Sequence, residues 1–126
     1  MALTVLGCAT VSDRRERSAP PAAGRGDSTS YVEEGRASYY SSSFAGRRTA
    51  SGDRYDPNLL TAAHPRLPLG TRVRVTRLGG PSVEVVVNDR CGCTHGRIID
   101  LSHEAARRLG MLSAGVVPVR IEVLRR

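Results

Sequence analysis

The sequence predicts a mainly β protein: a closed barrel of short strands with one or two short helices, preceded by a disordered N-terminal tether. Three observations predict it. From about Glu34 onward, short runs alternate apolar and polar residues, the period of a half-buried strand. Turn-forming residues separate these runs, and only one segment carries both start and stop signals of a helix. Many short strands within roughly 90 residues are best accommodated by closure, which removes exposed edges. At 126 residues the chain holds one such domain.

The N-terminal run Leu3-Thr4-Val5-Leu6-Gly7-Cys8 reads as a bacterial lipobox, a short apolar stretch and a small residue before the Cys that is acylated. The apolar run is shorter than the ~7–15 residues of a complete signal segment, and no basic region precedes it. Residues 1–8 are therefore expected to be the end of a longer signal; the alternative is a chance apolar terminus. Residues 9–33 are rich in Ser, Pro, Ala, Gly and charge, with no apolar period, and are expected to form a disordered linker. A flexible spacer directly behind a lipidated Cys8 is what a protein reaching away from its membrane requires. No later segment is long and apolar enough for a membrane helix.

The barrel is expected over residues 34–126. Arg72-Val73-Arg74-Val75-Thr76 alternates cleanly, and in Val83-Glu84-Val85-Val86-Val87-Asn88-Asp89 the odd positions form an apolar row. Val117, Val119, Ile121 and Val123 repeat the pattern, with Arg120 and Glu122 facing out. Pro118 within that run predicts an edge position or a bulge. Leu78-Gly79-Gly80-Pro81, Cys91-Gly92-Cys93 and Gly115 supply turns. A helix is expected after Asp100-Leu101: Ser102 is its N-cap, Glu104 lies in its first turn, Arg107 and Arg108 lie near its end, and Gly110 stops it. A shorter helical turn is expected after Asp56-Pro57.

Hydrophobic residues make up 40% of the chain, but with no Trp and one Phe the core must be aliphatic. All 19 basic residues are Arg, and the net charge of +7 favours anionic partners such as acidic lipid headgroups or an acidic wall polymer. Nucleic acid is not expected, because the Arg residues are dispersed and few aromatics accompany them for base stacking.

Four stretches carry a resemblance. They are Gly35-Arg36-Ala37-Ser38-Tyr39-Tyr40; Gly46-Arg47-Arg48-Thr49-Ala50-Ser51-Gly52-Asp53; Leu60 through Thr71, containing Thr61-Ala62-Ala63-His64-Pro65 and Leu67-Pro68-Leu69-Gly70; and Val87-Asn88-Asp89-Arg90 continued by Gly96-Arg97-Ile98-Ile99-Asp100-Leu101-Ser102. In this order and spacing they resemble the domain of the RlpA-like (rare lipoprotein A) lytic transglycosylases, over roughly residues 35–124. The resemblance implies a six-stranded double-psi β-barrel. It also implies cleavage of peptidoglycan glycan strands without water, the sugar's own 6-hydroxyl closing onto the anomeric carbon to leave a 1,6-anhydro end. The related expansins share the barrel, so a non-catalytic wall binder or loosener is the alternative.

Such chemistry needs one good general acid and no separate water-activating base. The resemblance places that role on Asp89. Strand parity agrees: Asp89 continues the row Val83, Val85, Val87, and Arg90 points the other way. Partial desolvation there would keep a proton available. Read without the resemblance, Asp89 is equally a turn cap or the partner of a nearby Arg. His64 and Asp53 are carried over too. His64 would orient Asp89 or bind sugar, with a hydrogen-bonded structural histidine as its bland reading. Asp53 stands where relatives usually carry Glu. Losing a methylene retracts the carboxylate by ~1.5 Å, and a ~1 Å misplacement costs ~100-fold in rate, so this departure weighs against activity. Tyr39, Tyr40 and Tyr55 offer sugar-stacking surface, core packing being the role of at least one; Arg90 joins Tyr39 and Tyr40 as a substrate-binding candidate. Asp100 is expected to tie the barrel to the Ser102 helix.

Cys91-Gly92-Cys93 departs from the Gly-Pro that many relatives carry after the Asp-Arg pair. With Cys8 acylated, two thiols remain in an oxidising compartment, which predicts a Cys91–Cys93 disulfide. The rival is a zinc site from Cys91, Cys93, His95 and His103, whose spacing is unlike the usual fingers. No cofactor or metal is expected. The whole predicts a monomeric, lipid-anchored envelope protein acting on peptidoglycan.

Overall fold

A computed structural model describes residues 31–125; Cys8, the lipobox and the expected linker up to residue 30 lie outside the described residues, while Val32 and Glu33, expected at the end of that linker, already pair with Glu122 and Ile121 in the barrel wall. The described strands are β1 (Val32–Tyr39), β2 (Thr61–Ala63), β3 (Arg72–Arg77), β4 (Ser82–Asp89), β5 (Arg97–Leu101) and β6 (Val117–Arg125). They close into a barrel in the order β1-β5-β2-β4-β3-β6. Two pairs are parallel, β1 with β5 and β2 with β4; the other four are antiparallel.

The alternating runs become the barrel wall as expected. Val73 and Val75 of β3, Val83, Val85 and Val87 of β4, and Val117, Val119 and Ile121 of β6 are buried, while Arg74, Glu84 and Arg120 face water. Ile99 and Leu101 of β5 join this aliphatic core. Each such side chain, fully buried, contributes roughly 1.5–3 kcal/mol of transfer free energy. Outside, Arg74 lies between Glu84 and Glu122 at 3.7 and 3.8 Å, cross-strand pairs that tie β4, β3 and β6. Gly35 permits the close passage of β1 over the start of β5: a Cβ there would stand 2.6 Å from Ile98 Cγ2.

Helix α1 (His103–Arg108) has the expected boundaries. The Ser102 hydroxyl accepts from the Ala105 N–H, Glu104 bonds Arg107 and Arg108, and Gly110 follows with φ 69°. Arg107 and Arg108 hold the Glu104 carboxyl down at about 2. Two expectations differ. Asp56-Pro57 starts a turn, not a helix: the Asp56 side chain and carbonyl accept from Asn58 and Leu59 N–H. Among the described residues the other helical element is a 3-10 turn, Ser42–Phe44. Pro118 has no edge to occupy in a closed barrel, and no register shift falls on it. It is the second residue of β6, next to where the β3 ladder ends at Arg77–Val119.

Candidate active site

Beyond the end of β4 lies an open cleft of about 310 Å³, at the lower end of ligand-site volumes. Asp89, Arg90, Cys91 and Gly92 form one wall, Tyr40 and Tyr55 its base, and Phe44, Arg47, Arg48, Thr49 and Asp100 the rest.

Asp89 is half-buried, and its carboxyl is held by donors from three segments. Oδ1 accepts from the main-chain N–H of Ala50 at 2.8 Å and of Arg90 at 2.9 Å. Oδ2 accepts from the Tyr40 hydroxyl at 2.6 Å. The two main-chain donors fill Oδ1, and Oδ2 carries the Tyr40 bond and the lone pair left over. Burial, then the bond to Asp89, pushes the Tyr40 phenol above its ordinary range, so Tyr40 stays a donor.

Ala50 reaches Asp89 because residues 46–55 fold back on themselves. Gly46 N–H donates to the Tyr55 carbonyl, Tyr55 N–H to Arg47, and Thr49 N–H to Asp53. Ser51 N–H then docks on the Asn88 carbonyl at 3.0 Å, beside Asp89. Asp53 contributes through its carbonyl, which accepts from both the N–H and the hydroxyl of Thr49. Its carboxyl is exposed, 3.4 Å from the Ser51 hydroxyl, and does not line the cleft.

Tyr40 and Tyr55 stack, with ring centroids 4.5 Å apart and planes at 17°, and Cys91 packs against them. Both rings are nearly closed to solvent, so they support the cleft more than they present a face to sugar. The exposed aromatic at the rim is Phe44, edge-on to Tyr40 and covered by the Arg47 guanidinium at 4.8 Å. Tyr39 points elsewhere: its hydroxyl donates to the Leu112 carbonyl, its ring meets His103 edge-on, and it does not line the cleft.

His64 is fully buried. Its Nδ1 accepts from the N–H groups of Arg66 and Leu67 at 3.0 and 3.1 Å, and Nε2 lies 3.1 Å from Glu33 Oε1. Burial lowers its pKa, only partly offset by Glu33. The ring thus serves the 64–67 turn, and the His64 main chain reaches the site: its N–H donates to the Asp89 carbonyl at 3.1 Å. Arg90 leaves β4 on the side opposite Asp89, as parity predicts. Its guanidinium donates to the carbonyls of His64 and Leu67 at 3.2 and 2.7 Å while lining the cleft.

Cys91 and Cys93 form a disulfide, S–S 2.10 Å, on the cleft wall. The other two residues of the zinc alternative lie apart from it in their contacts, His95 bonding Thr94 and His103 packing on Tyr39. Among the described residues no group of three or more His, Cys, Asp or Glu could hold a metal.

Sequence reasoning missed Asp100 as a cleft residue. Strand parity held the signal: Ile99 and Leu101 are buried, so Asp100 between them faces the other way. The main-chain donors on Asp89 had no signal, since N–H groups leave none in a residue type.

Residues 32–121 match the family model described as lytic transglycolase. The probable endolytic peptidoglycan transglycosylase RlpA of Nostoc is 58% identical over 96 residues, 74% of this chain and 26% of the relative. The endolytic peptidoglycan transglycosylase RlpA of Haemophilus influenzae is 48% identical over 99 residues, 78% of this chain and 34% of the relative. The chain thus spans about a quarter to a third of these relatives. Among solved structures, the Streptomyces papain inhibitor aligns with TM-score 0.63 and 26% identity, over 77% of this chain and 97% of that one. An expansin of Clavibacter michiganensis aligns with TM-score 0.60 and 29% identity, over 75% and 51%. The matched span coincides with the closed barrel, and the chain belongs to the lytic transglycolase family as an RlpA-like double-psi β-barrel.

Proposed function

We propose that this barrel is a peptidoglycan lytic transglycosylase that cuts glycan strands to 1,6-anhydromuramyl ends. The observation that carries the reading is the Asp89 carboxyl, fixed at the cleft by Tyr40, Ala50 and Arg90 in a chain whose relatives carry that activity in their names. The reaction protonates the glycosidic oxygen, breaks its bond to the anomeric carbon, and lets the 6-hydroxyl close onto that carbon while shedding its proton. One carboxyl suffices when it performs both transfers in turn, and the motif makes Asp89 that general acid. Arg47, Arg48 and Arg90 around the cleft suit an anionic glycan. His64 and Asp53 act in this reading as positioning residues, through the turn and the loop that hold Asp89.

The same reading places the protein in the cell envelope as a monomer, with Cys8 acylated, the residues behind it a tether, and the barrel from Val32 onward the catalytic domain. Mass spectrometry of products from purified peptidoglycan tests the activity. Wild type should release anhydro ends, and Asp89→Asn should lower them by ~100–10,000-fold with folding and wall binding intact. A folded wild type that pulls down on wall material yet yields no anhydro ends, on strands with or without stem peptides, would instead be an expansin-like binder.

A further inference from the structure

The cleft wall at Cys91 and Gly92 has few ties to the rest of the barrel. It belongs to the link between β4, which ends at Asp89, and β5, which begins at Arg97. The β5 half of that link is well fastened. Arg97 N–H donates to the Thr94 carbonyl at 3.1 Å, the Arg36 guanidinium donates to the His95 carbonyl, and Thr94 Oγ1 meets His95 Nδ1 at 3.0 Å. The β4 half is not. Among the described residues no main-chain group of residues 91–93 makes a hydrogen bond to another part of the protein. What fastens them is the Cys91–Cys93 disulfide, together with the seat of Cys91 on Tyr40, Tyr55 and Ala63. The bond is open to attack from one side, since Gly92 and Thr94 are exposed and Cys93 between them is half-exposed. On the other side, Cys91 Sγ lies 3.6 Å from the Ala63 carbonyl, an acceptor that only a protonated thiol can use. The reduced Cys91 thus has a resting place ready, whereas a reduced Cys93 has none.

We propose that Cys91–Cys93 is a thiol-exchange site, opened by a dithiol reductant, and that its state sets how firmly the cleft holds a glycan strand. This rests on the transglycosylase reading to the extent that the cleft takes such a strand. A thiolate of the reductant bonds to Cys93 Sγ as the S–S bond breaks, and the electron pair of that bond leaves on Cys91 Sγ, which takes a proton. The second thiol of the reductant then attacks the reductant's own sulfur in the mixed disulfide, releasing Cys93 Sγ to take the other proton. Two electrons and two protons pass to the protein, and the reductant departs as a disulfide. Asp89 is untouched, because its donors are Tyr40, Ala50 and the Arg90 N–H, none of them within residues 91–93. What is lost is a fixed wall. A strand entering the reduced cleft must order that wall itself, a cost carried equally by bound substrate and transition state, so it falls on KM and spares kcat.

The test uses the full-length protein, oxidised and after dithiothreitol, with thiols counted by alkylation and peptide mass so that Cys8 is scored apart. On soluble glycan strands the reduced form should show a KM ~10-fold higher, the scale of re-ordering one freed residue, with kcat within about 2-fold. Reoxidation should restore the original KM. The double variant Cys91→Ser/Cys93→Ser should match reduced wild type and ignore the reductant; if it does not fold, the two states of wild type decide alone. Equal KM in both states, with both thiols alkylated only after reduction, overturns the proposal. So does a disulfide that dithiothreitol cannot open in the folded protein, and so does a loss confined to kcat, which would put the disulfide in the chemistry. If neither state yields anhydro ends, the transglycosylase reading fails by itself, and the Kd for glycan strands decides the exchange site. A Kd weakened ~10-fold by reduction then supports it, and an unchanged Kd overturns it.

Discussion

His64→Ala separates a reacting histidine from one that holds the site in place. The ring is completely buried, and its Nδ1 accepts from two main-chain N–H groups, so its hydrogen sits on Nε2 and points at Glu33. Truncation to Ala takes the acceptor from Arg66 and Leu67 N–H. Each buried donor left without its acceptor costs about 1–3 kcal/mol. A cavity and the loss of the Glu33 contact add to this, giving a total on the order of 3–6 kcal/mol. That is a large share of the ~5–15 kcal/mol stability of a domain this size. His64→Asn should be milder, because its amide oxygen replaces Nδ1 as the acceptor; His64→Gln, whose amide reaches toward Glu33, should fall between Asn and Ala. Urea unfolding followed by circular dichroism reads the order, and anhydro product per folded molecule reads the chemistry. The pH dependence follows from the lowered pKa. A depressed folded value means the contribution is present above the ordinary histidine value near ~6.5 and is lost as pH falls through the folded value. Wild type should therefore lose stability more steeply than His64→Asn below about pH 6.5. An Ala variant with the urea midpoint of wild type and no anhydro product would refute this reasoning and return the ring to the substrate.

Exported protein should show no free thiol at Cys91 or Cys93 by alkylation and no stoichiometric zinc; one zinc per chain would favour the metal module instead. Replacing both by Ser should lower activity, since Cys91 lines the cleft, while unfolding shifts by only about 1.5 kcal/mol, because the ring closed is so short. Expressed behind a lipoprotein signal, the protein should be acylated and membrane-associated, and Cys8→Ser should release it; unchanged fractionation would remove the lipobox.

The parts of the fold legible in sequence are those in which a side-chain period runs long enough to count. Strands β3, β4 and β6 have six to nine residues each, and their Val and Ile rows declare which face is inside. Strand β2 is three residues of Thr-Ala-Ala, too short for any period. In β1 the inward residues include Gly35 and Ala37, small because β5 passes close, so the apolar row never appears. At the site the same division holds. The parity of Asp89 and Arg90 was legible because β4 carries its row to the end. The loop over residues 46–55 was invisible as a partner, since it serves Asp89 with a main-chain N–H and is closed by main-chain bonds. In sequence Asp100 reads as the link to the helix, because Ser102 so clearly caps it. Its place opposite Ala63 and beside Ser38 is a matter of register between strands distant in sequence.

The barrel interior is filled by Val, Ile, Leu and Ala, and the groups placed in the reaction lie where strand ends meet the loops. Core and chemistry are thus largely separable, since a change in the aliphatic wall reaches Asp89 only through the backbone of β4. The 64–67 turn is the exception. Its shape depends on the buried His64 ring, its carbonyls are clamped by Arg90, and its first N–H holds the Asp89 carbonyl. A disturbance there loosens the residue that carries the carboxyl and the main-chain N–H that binds it, because Arg90 supplies both the clamp and one of the donors to Oδ1. Hence Arg90→Lys, which keeps the charge but not the length or the flat face of the guanidinium, is not conservative: one nitrogen, Nη1, holds both the His64 and the Leu67 carbonyl, and the shorter lysine stem sets its ammonium back from that point while stripping planar surface from the cleft wall.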